Sequence, residues 1–389
     1  MATPWRVPLS DVRVDDELLA VAQEVLASGW WSMGPRVQEL ESAFSERTGA
    51  PYALAVSSGT AALHLALLAV GCGPGDEVVL PSLNFVAAAN AVVRVGATPV
   101  FCDVLGAGDL NVDPVDLAAA VGPRTKALIV LHYAGFACDL AAVRELAAER
   151  GIAVIEDAAH GPGATWNGQA LGTVGTVGCF SFFSNKNVPI GEGGMVVTSE
   201  EDVAERLRLL RSHGMTTLTW QRHQGHASAY DVIEAGFNYR LDEVRAALAT
   251  LQLSRLADAN AARLRHVLRY RELLDGRHGL SFPFDGEARL RTSAHHLAVV
   301  LLPHGVSRDG IRETLHGERI QTSVHYPPIH RFTAYAVSGG RRALPHTDEV
   351  ADRILTLPLF PHMSSGDVDL VVDGLTRAVH TERSMSASN

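Results

Sequence analysis

Residues 52–70, YALAVSSGTAALHLALLAV, carry three signals in one stretch. Tyr52–Val56 is short and almost wholly apolar, as a strand covered on both faces must be. Ser57–Thr60 is a turn of small residues, and AALHLALLAV continues as a helix. Such a turn leaves free backbone N–H groups at the helix start. There the helix dipole and the Ser and Thr hydroxyls favour an anion such as a phosphate. An ordinary N-cap by Ser58 or Thr60 would use the same residues. The turn is neither a Walker A nor a GxGxxG motif, so nucleotide binding at this spot is not indicated.

Outward from this stretch the alternation repeats. Strands are expected at Glu77–Leu80, Thr98–Val104, Ala127–His132 and Ile152–Ile155, with helices at Phe85–Val93, Pro114–Val121 and Leu140–Arg150. Apolar strands separated by amphipathic helices predict an α/β fold with a mostly parallel central sheet flanked by helices. Ligands of such sheets sit beyond the carboxyl ends of the strands. SSGT, Asn84–Phe85, HYAG (132–135) and EDAAH (156–160) all fall there. Helices are also expected at Asp15–Ala27 and Val37–Thr48, and a long one from Leu241 to about Leu274. That helix would lead into a smaller α+β domain with strands His296–Leu302 and Gln321–Tyr326 and helices Arg308–Leu315 and Asp367–Val379. The division expected is a large domain over 15–255 and a small C-terminal domain over 256–389, with residues 1–14 packing nearby.

The second telling stretch is Cys179–Thr198, CFSFFSNKNVPIGEGGMVVT. Lys186 lies in a polar loop between two apolar strands. Burial disfavours an ammonium and lowers its pKa, which makes the amine a nucleophile and suits a Schiff-base lysine. A surface lysine in a hairpin loop is the alternative from this window alone. Asp157 ends an apolar strand, where a buried carboxylate needs a partner. A protonated pyridine nitrogen would be one, and His160 lies within reach of the same ligand; a helix cap and a turn histidine are the plainer alternative. Trp30 and Trp31 suit a substrate cleft or simple packing.

Composition narrows the classes. A charge of −10 over 389 residues argues against non-specific nucleic-acid binding. The start MATPWRVPLSDVRVDD lacks a basic-then-apolar pattern, so no signal peptide is expected. No apolar run approaches membrane-spanning length, so no membrane role is expected either. Cys72, Cys102, Cys138 and Cys179 form no Cys-x-x-Cys pair and read as buried thiols of a cytoplasmic protein. His223 and His226 lack a further ligand at metal-binding spacing, so no metal is expected. The tail SMSASN reads as disordered.

The ordered set SSGTAALHLAL, PSLNFVAAANAV, GATPVFCDV, HYAGFACDL, EDAAHGPGA, FSFFSNKNVPIGEGGMVVT, GFNYRLDEVRAAL and HYPPIH spans nearly the whole chain. It resembles the DegT/DnrJ/StrS family of pyridoxal-phosphate sugar aminotransferases, of the aspartate aminotransferase fold (type I). The resemblance implies pyridoxal 5'-phosphate (PLP) bound covalently by Lys186, with Asp157 pairing the pyridine nitrogen so that the ring acts as an electron sink. It implies Phe85 on the ring face, preceded by Asn84 where the family often has Thr. Gly59, Thr60 and Ser181 would hold the phosphate. His160, where many members have Gln, would lie near the ring hydroxyl. Asn238 would reach the phosphate of a neighbouring subunit, so a homodimer with shared active sites is implied.

The resemblance further implies L-glutamate or glutamine as donor and a keto-sugar as acceptor, a nucleotide-linked 3-keto or 4-keto deoxyhexose first, with Lys186 moving the proton. A keto-cyclitol of aminoglycoside pathways is the alternative acceptor. Pyridoxamine-dependent sugar dehydratases resemble the chain too but carry His at the lysine position, and a non-catalytic homologue would be expected to lose Lys186 or Asp157. Trp31, Met33, Tyr326 and His330 are the expected sugar-pocket residues, and Arg240, His325, His330 and Arg331 are the cations within reach of a diphosphate. The Ala/Val/Arg-rich composition is associated with a GC-rich bacterial genome and with polysaccharide or antibiotic biosynthesis.

Overall fold

The computed structural model describes residues 5–217, 230–335 and 342–386. The pair His223 and His226 and the last residues of the tail lie outside them.

Two helices come first, α1 (Asp16–Ser28) and α2 (Pro35–Thr48). Asp15 caps α1 by accepting from Leu18 N (3.0 Å), and Gly29 closes it at φ +71°, a left-handed conformation suited to glycine. Then come β1 (Tyr52–Val56), α3 (Gly59–Ala69), β2 (Glu77–Pro81), α4 (Ala87–Arg94) and β3 (Thr98–Cys102). They are followed by α5 (Pro114–Ala120), β4 (Thr125–Leu131), α6 (Leu140–Arg150), β5 (Ala153–Asp157), β6 (Val177–Ser181), β7 (Gly194–Thr198) and α7 (Glu201–Arg211). The strands form one seven-stranded sheet in the order β1-β7-β6-β5-β4-β2-β3. All adjacent pairs from β3 to β6 are parallel, and β7 runs antiparallel to both β6 and β1.

Alternation along β7 shows how the sheet is covered. Val196 points to a core shared with Leu63, Leu67 and Leu207, from α3 and α7. Met195 and Val197 point to the other face, against Val37, Leu40 and Phe44 of α2. α3 is apolar all round, with Ala61–Leu67 buried throughout, as expected of a helix enclosed on every side.

After α7 come α8 (Glu243–Ser254) and α9 (Leu256–Leu274). The expected single helix over 241–274 is therefore two. The helical ladder restarts at Arg255, whose carbonyl accepts from Ala259 N (3.1 Å) and whose guanidinium is bound to Asp15 and Glu17. Beyond them lie α10 (Glu287–Thr292), β8 (Ala298–Leu301), α11 (Arg308–Gly317), α12 (Pro345–Arg353), β9 (Ile354–Leu357) and α13 (Ser365–Ser386). β8 and β9 pair antiparallel. A second core gathers Val7 with Tyr270, Val300, Ile311, Leu355 and Val371. The N-terminal segment is stitched to it by Gln321 N donating to Val7 O (3.0 Å) and Leu359 N to Leu9 O (3.0 Å). The expected strand Gln321–Tyr326 is absent. That segment makes only isolated pairings, such as Ser323 with Thr356, and the His325 carbonyl accepts from the Tyr133 hydroxyl.

Candidate active site

A pocket of about 270 Å³ opens beyond the carboxyl ends of β1, β2, β5 and β6. Ser58, Gly59 and Thr60 line one end, at the start of α3. The first-turn N–H groups of a helix have no intrahelical acceptor; that of Ala61 is taken by Ser58 Oγ (3.0 Å). Two glycines permit the assembly. A Cβ on Gly59 would lie 2.8 Å from Ser181 Cβ, and one on Gly194 would lie 2.6 Å from Phe180 O and 2.7 Å from Ser58 C. Without side chains there, the turn after β1 abuts the end of β6, so Gly59, Thr60 and Ser181 converge on one corner.

Two adjacent carboxylates at the end of β5 are treated oppositely. Glu156 is fully buried and accepts from His132 Nε2 (2.8 Å), Gly172 N (2.8 Å), Val174 N (2.7 Å) and Gly175 N (2.6 Å). Burial pushes its carboxyl up, but His132 and the backbone donors outweigh this and hold it below the ordinary value. It ties the 172–175 loop to the sheet. Asp157, set between Leu131 and Cys179 in register, is buried at 5 % exposure and accepts a backbone bond from Ala159 N (3.2 Å). Burial raises its carboxyl above the ordinary value, against the pull of Ala159 N, Lys186, Asn84 and His132. Asp157 makes no ion pair among the described residues, and it lines the pocket.

Lys186 enters from the loop between β6 and β7. Its Nζ lies 3.4 Å from His296 Nε2. The tautomer of His296 follows from its partners. Asn187 Nδ2 spends both hydrogens on Asn260 Oδ1 (2.8 Å) and Ala294 O (2.8 Å), while Asn260 Nδ2 donates to Pro162 O (2.9 Å). Asn187 Oδ1 therefore faces His296 Nδ1 (3.0 Å), which must carry the hydrogen. The Nε2 lone pair is left toward Lys186. Burial keeps His296 far below its ordinary pKa, and Lys186 and His160 add to this.

Burial pushes the Lys186 amine from 10.5 down to about 8, with Asp157 opposing. The nucleophile is the free base, so capture of a carbonyl reagent by Lys186 is expected to rise about tenfold per pH unit below about pH 8 and to level above it. Stopped-flow absorbance across pH would measure this; a rise continuing toward pH 10.5 would mean a hydrated amine.

Opposite Lys186, His160 Nδ1 accepts from Ala134 N (3.3 Å), so its Nε2 carries the hydrogen toward the Tyr326 hydroxyl (2.7 Å). The Tyr326 hydrogen is thereby free for another acceptor. Its ring lies 5.7 Å from that of Phe85, which is 54 % exposed at the pocket mouth.

The pocket thus gathers Lys186, Asp157, His160, Phe85, Gly59, Thr60, Ser181 and Tyr326. Six other expected residues stand outside its lining, Arg240 and Arg331 among them. Trp31 is exposed, and its Nε1 donates to Leu26 O (3.2 Å). Met33 packs in the core with Val37 and Leu241. His330 is held by Ser82 Oγ (2.7 Å) and Asp348 (3.2 Å). Asn238 is exposed, in a segment paired with Ser212. Asn187, Asn260 and His296 were not singled out from sequence; the His295-His296 pair is their only local signal.

A family model described as the DegT/DnrJ/EryC1/StrS aminotransferase family matches residues 12–376. The chain is 39 % identical over 382 residues, 96 % of each chain, to the spore coat polysaccharide biosynthesis protein SpsC of Bacillus subtilis (strain 168). It also superimposes on the aminotransferase TlmJ from Streptoalloteichus hindustanus, with TM-score 0.88, 35 % identity, and 97 % of this chain and 99 % of that one covered. The PLP form of the Streptococcus pneumoniae putative sugar aminotransferase Spr1654 matches with TM-score 0.87 and 26 % identity, covering 97 % and 98 % of the two chains.

Proposed function

Because this chain belongs to the DegT/DnrJ/EryC1/StrS aminotransferase family, we propose that it moves an amino group from L-glutamate or glutamine to a keto-sugar, first among them a nucleotide-linked 3-keto or 4-keto deoxyhexose. Aminotransfer and dependence on pyridoxal 5'-phosphate come with family membership. The observation that carries the site is a single pocket in which a dehydrated lysine amine faces a buried aspartate without an ion-pair partner, beside the open start of α3.

The residues fit the cofactor. Asp157 lacks the cation that a protonated pyridine nitrogen would supply, and the start of α3 with Ser181 suits a phosphate. Phe85 flanks a ring-sized space. When bound, the cofactor supplies an electron sink for the charge left at the donor's Cα. The chain's own groups do the rest. Lys186 would hold the cofactor through Nζ, and the same amine, once free, would take the proton from the donor's Cα and later return one to the acceptor's carbon. Asp157 would pair with the ring nitrogen as a carboxylate, and the Tyr326 hydroxyl, its hydrogen unused by His160, would be a donor to the bound group.

Exposed Phe85 and Phe183 at the pocket mouth, with exposed Val232 and Ile233 in the chain leading to Asn238, support a homodimer that covers this face, with Asn238 reaching the partner's phosphate site. SpsC, named for spore coat polysaccharide biosynthesis, supports a polysaccharide pathway as the setting.

The test is to bleach the holoenzyme's cofactor band with L-glutamate and then supply candidate acceptors, following products by mass spectrometry. Amination of a keto-sugar nucleotide is the expected result. Amination of a keto-cyclitol alone would replace the proposed acceptor, and loss of a hydroxyl without amination would move the enzyme to dehydration.

A further inference from the structure

Lys186 also lines a second cavity, of about 450 Å³. Its walls are the loop carrying Lys186, one face of α9 with Arg263, the N-terminal segment 10–15, and residues 359–362. Arg263 is 5 % exposed, and its Nη1 is buried with no hydrogen-bond partner. No carboxylate pairs with it among the described residues. Burial alone pushes the guanidinium down to about 10. Buried charges are ordinarily paired, because an unpaired one keeps its full desolvation cost.

We propose that this cavity is a carboxylate subsite and that Arg263 is its anchor, taking the carboxylate of the amino-acid donor while its amine reaches Lys186. The proposal rests on the aminotransferase reading for the donor class and on the cavity for the residue. Charge decides between carboxylate and diphosphate: beside Arg263 and Lys186, the cavity is lined by Arg13 and Arg255 against Asp11, Asp15 and Asp258. Arg255 is already neutralised by Asp15 and Glu17, and His362 is bound to Asp11 (2.9 Å). Asp11, Asp15 and Asp258 line the same cavity and would repel a multiply charged phosphate. One planar guanidinium matches one carboxylate.

The experiment titrates the holoenzyme with glutarate, a dicarboxylate without an amine, by calorimetry, beside Arg263→Met and Arg263→Lys. Glutarate is expected to bind the wild type, to bind Arg263→Met about 10- to 100-fold more weakly, and to recover part of its affinity in Arg263→Lys. The KM for L-glutamate should rise in Arg263→Met, while the cofactor band and melting temperature hold. Pyrophosphate run in parallel separates the two sources of oxyanion. Equal glutarate affinity in wild type and Arg263→Met, no binding to wild type, or Arg263-dependent binding of pyrophosphate alone would each overturn the proposal. Failure of the aminotransferase reading looks different: a wild-type cofactor band unmoved by L-glutamate, whatever glutarate does.

Discussion

Lys186→Ala is expected to lower turnover with L-glutamate by about 10⁴-fold or more, because one atom is asked to do two tasks. On the proposed function, Nζ would both attach the cofactor and move the proton at the donor's Cα. A positioned general base alone is worth about 10²–10⁴-fold, and losing the attachment adds to that. The fold should tolerate the change, since the amine is held in a place that disfavours its charge, with burial bringing it down to about 8. The variant should therefore keep its melting temperature, still bind the cofactor through Asp157 and the start of α3, and fail to exchange its absorbance band with L-glutamate. Partial rescue by added methylamine would mark a lost amine. Turnover within tenfold of wild type would remove Lys186 from the chemistry.

Asp157→Asn should cost about 10²- to 10³-fold in turnover, the scale for removing one preorganised electrostatic partner. The substitution is nearly isosteric and keeps an oxygen for the Ala159 N–H. What it removes is the negative charge that, on the proposed function, would hold the ring nitrogen protonated. The effects on stability and on function should have opposite signs. Burial raises the Asp157 carboxyl in the folded chain, so the folded state holds that proton more tightly than the unfolded one. Relative to the Asn variant, the cofactor-free wild type should then lose stability as pH rises through the carboxylate range. With cofactor added, the order should reverse, because only the aspartate gains a cation. Melting curves against pH, with and without cofactor, would show both. Equal cofactor affinity in the two proteins would mean that Asp157 does not meet the ring nitrogen.

That Asp157, Lys186 and SSGT meet in one pocket was legible because each signal is local. Asp157 ends an apolar strand, Lys186 sits between two more, and SSGT follows a fourth; each is carried by the ten or so residues around it. Sequence reading failed where partners come from far along the chain. His296 meets Lys186 across 110 positions and Asn187 meets Asn260 across 73. Nothing in the period of β8 or α9 marks either residue, because their value lies in which atom faces which. Arg263 looks like any cation on an amphipathic helix until its Nη1 proves to be buried with no hydrogen-bond partner among the described residues. Met33 and His330 lie outside the pocket lining for the same reason. Met33 is spent on the core beside α2, and His330 is tied by Ser82 and Asp348. The broken helix at Arg255 is also tertiary, fixed by acids near the start of α1.

The reversed strand β7 has a consequence for how the nucleophile moves. A parallel return from β6 would need a long crossover. Reversal lets the chain come straight back, so the lysine rides on a short hairpin cross-linked by Phe182 N to Gly193 O (2.9 Å), Ser184 N to Gly191 O (3.1 Å) and Ile190 N to Phe182 O (3.0 Å). Amide protons of this segment should therefore exchange with deuterium as slowly as those of the central sheet, unlike those of a lid. Deleting one residue between the two strands would leave both strands paired and point the lysine elsewhere.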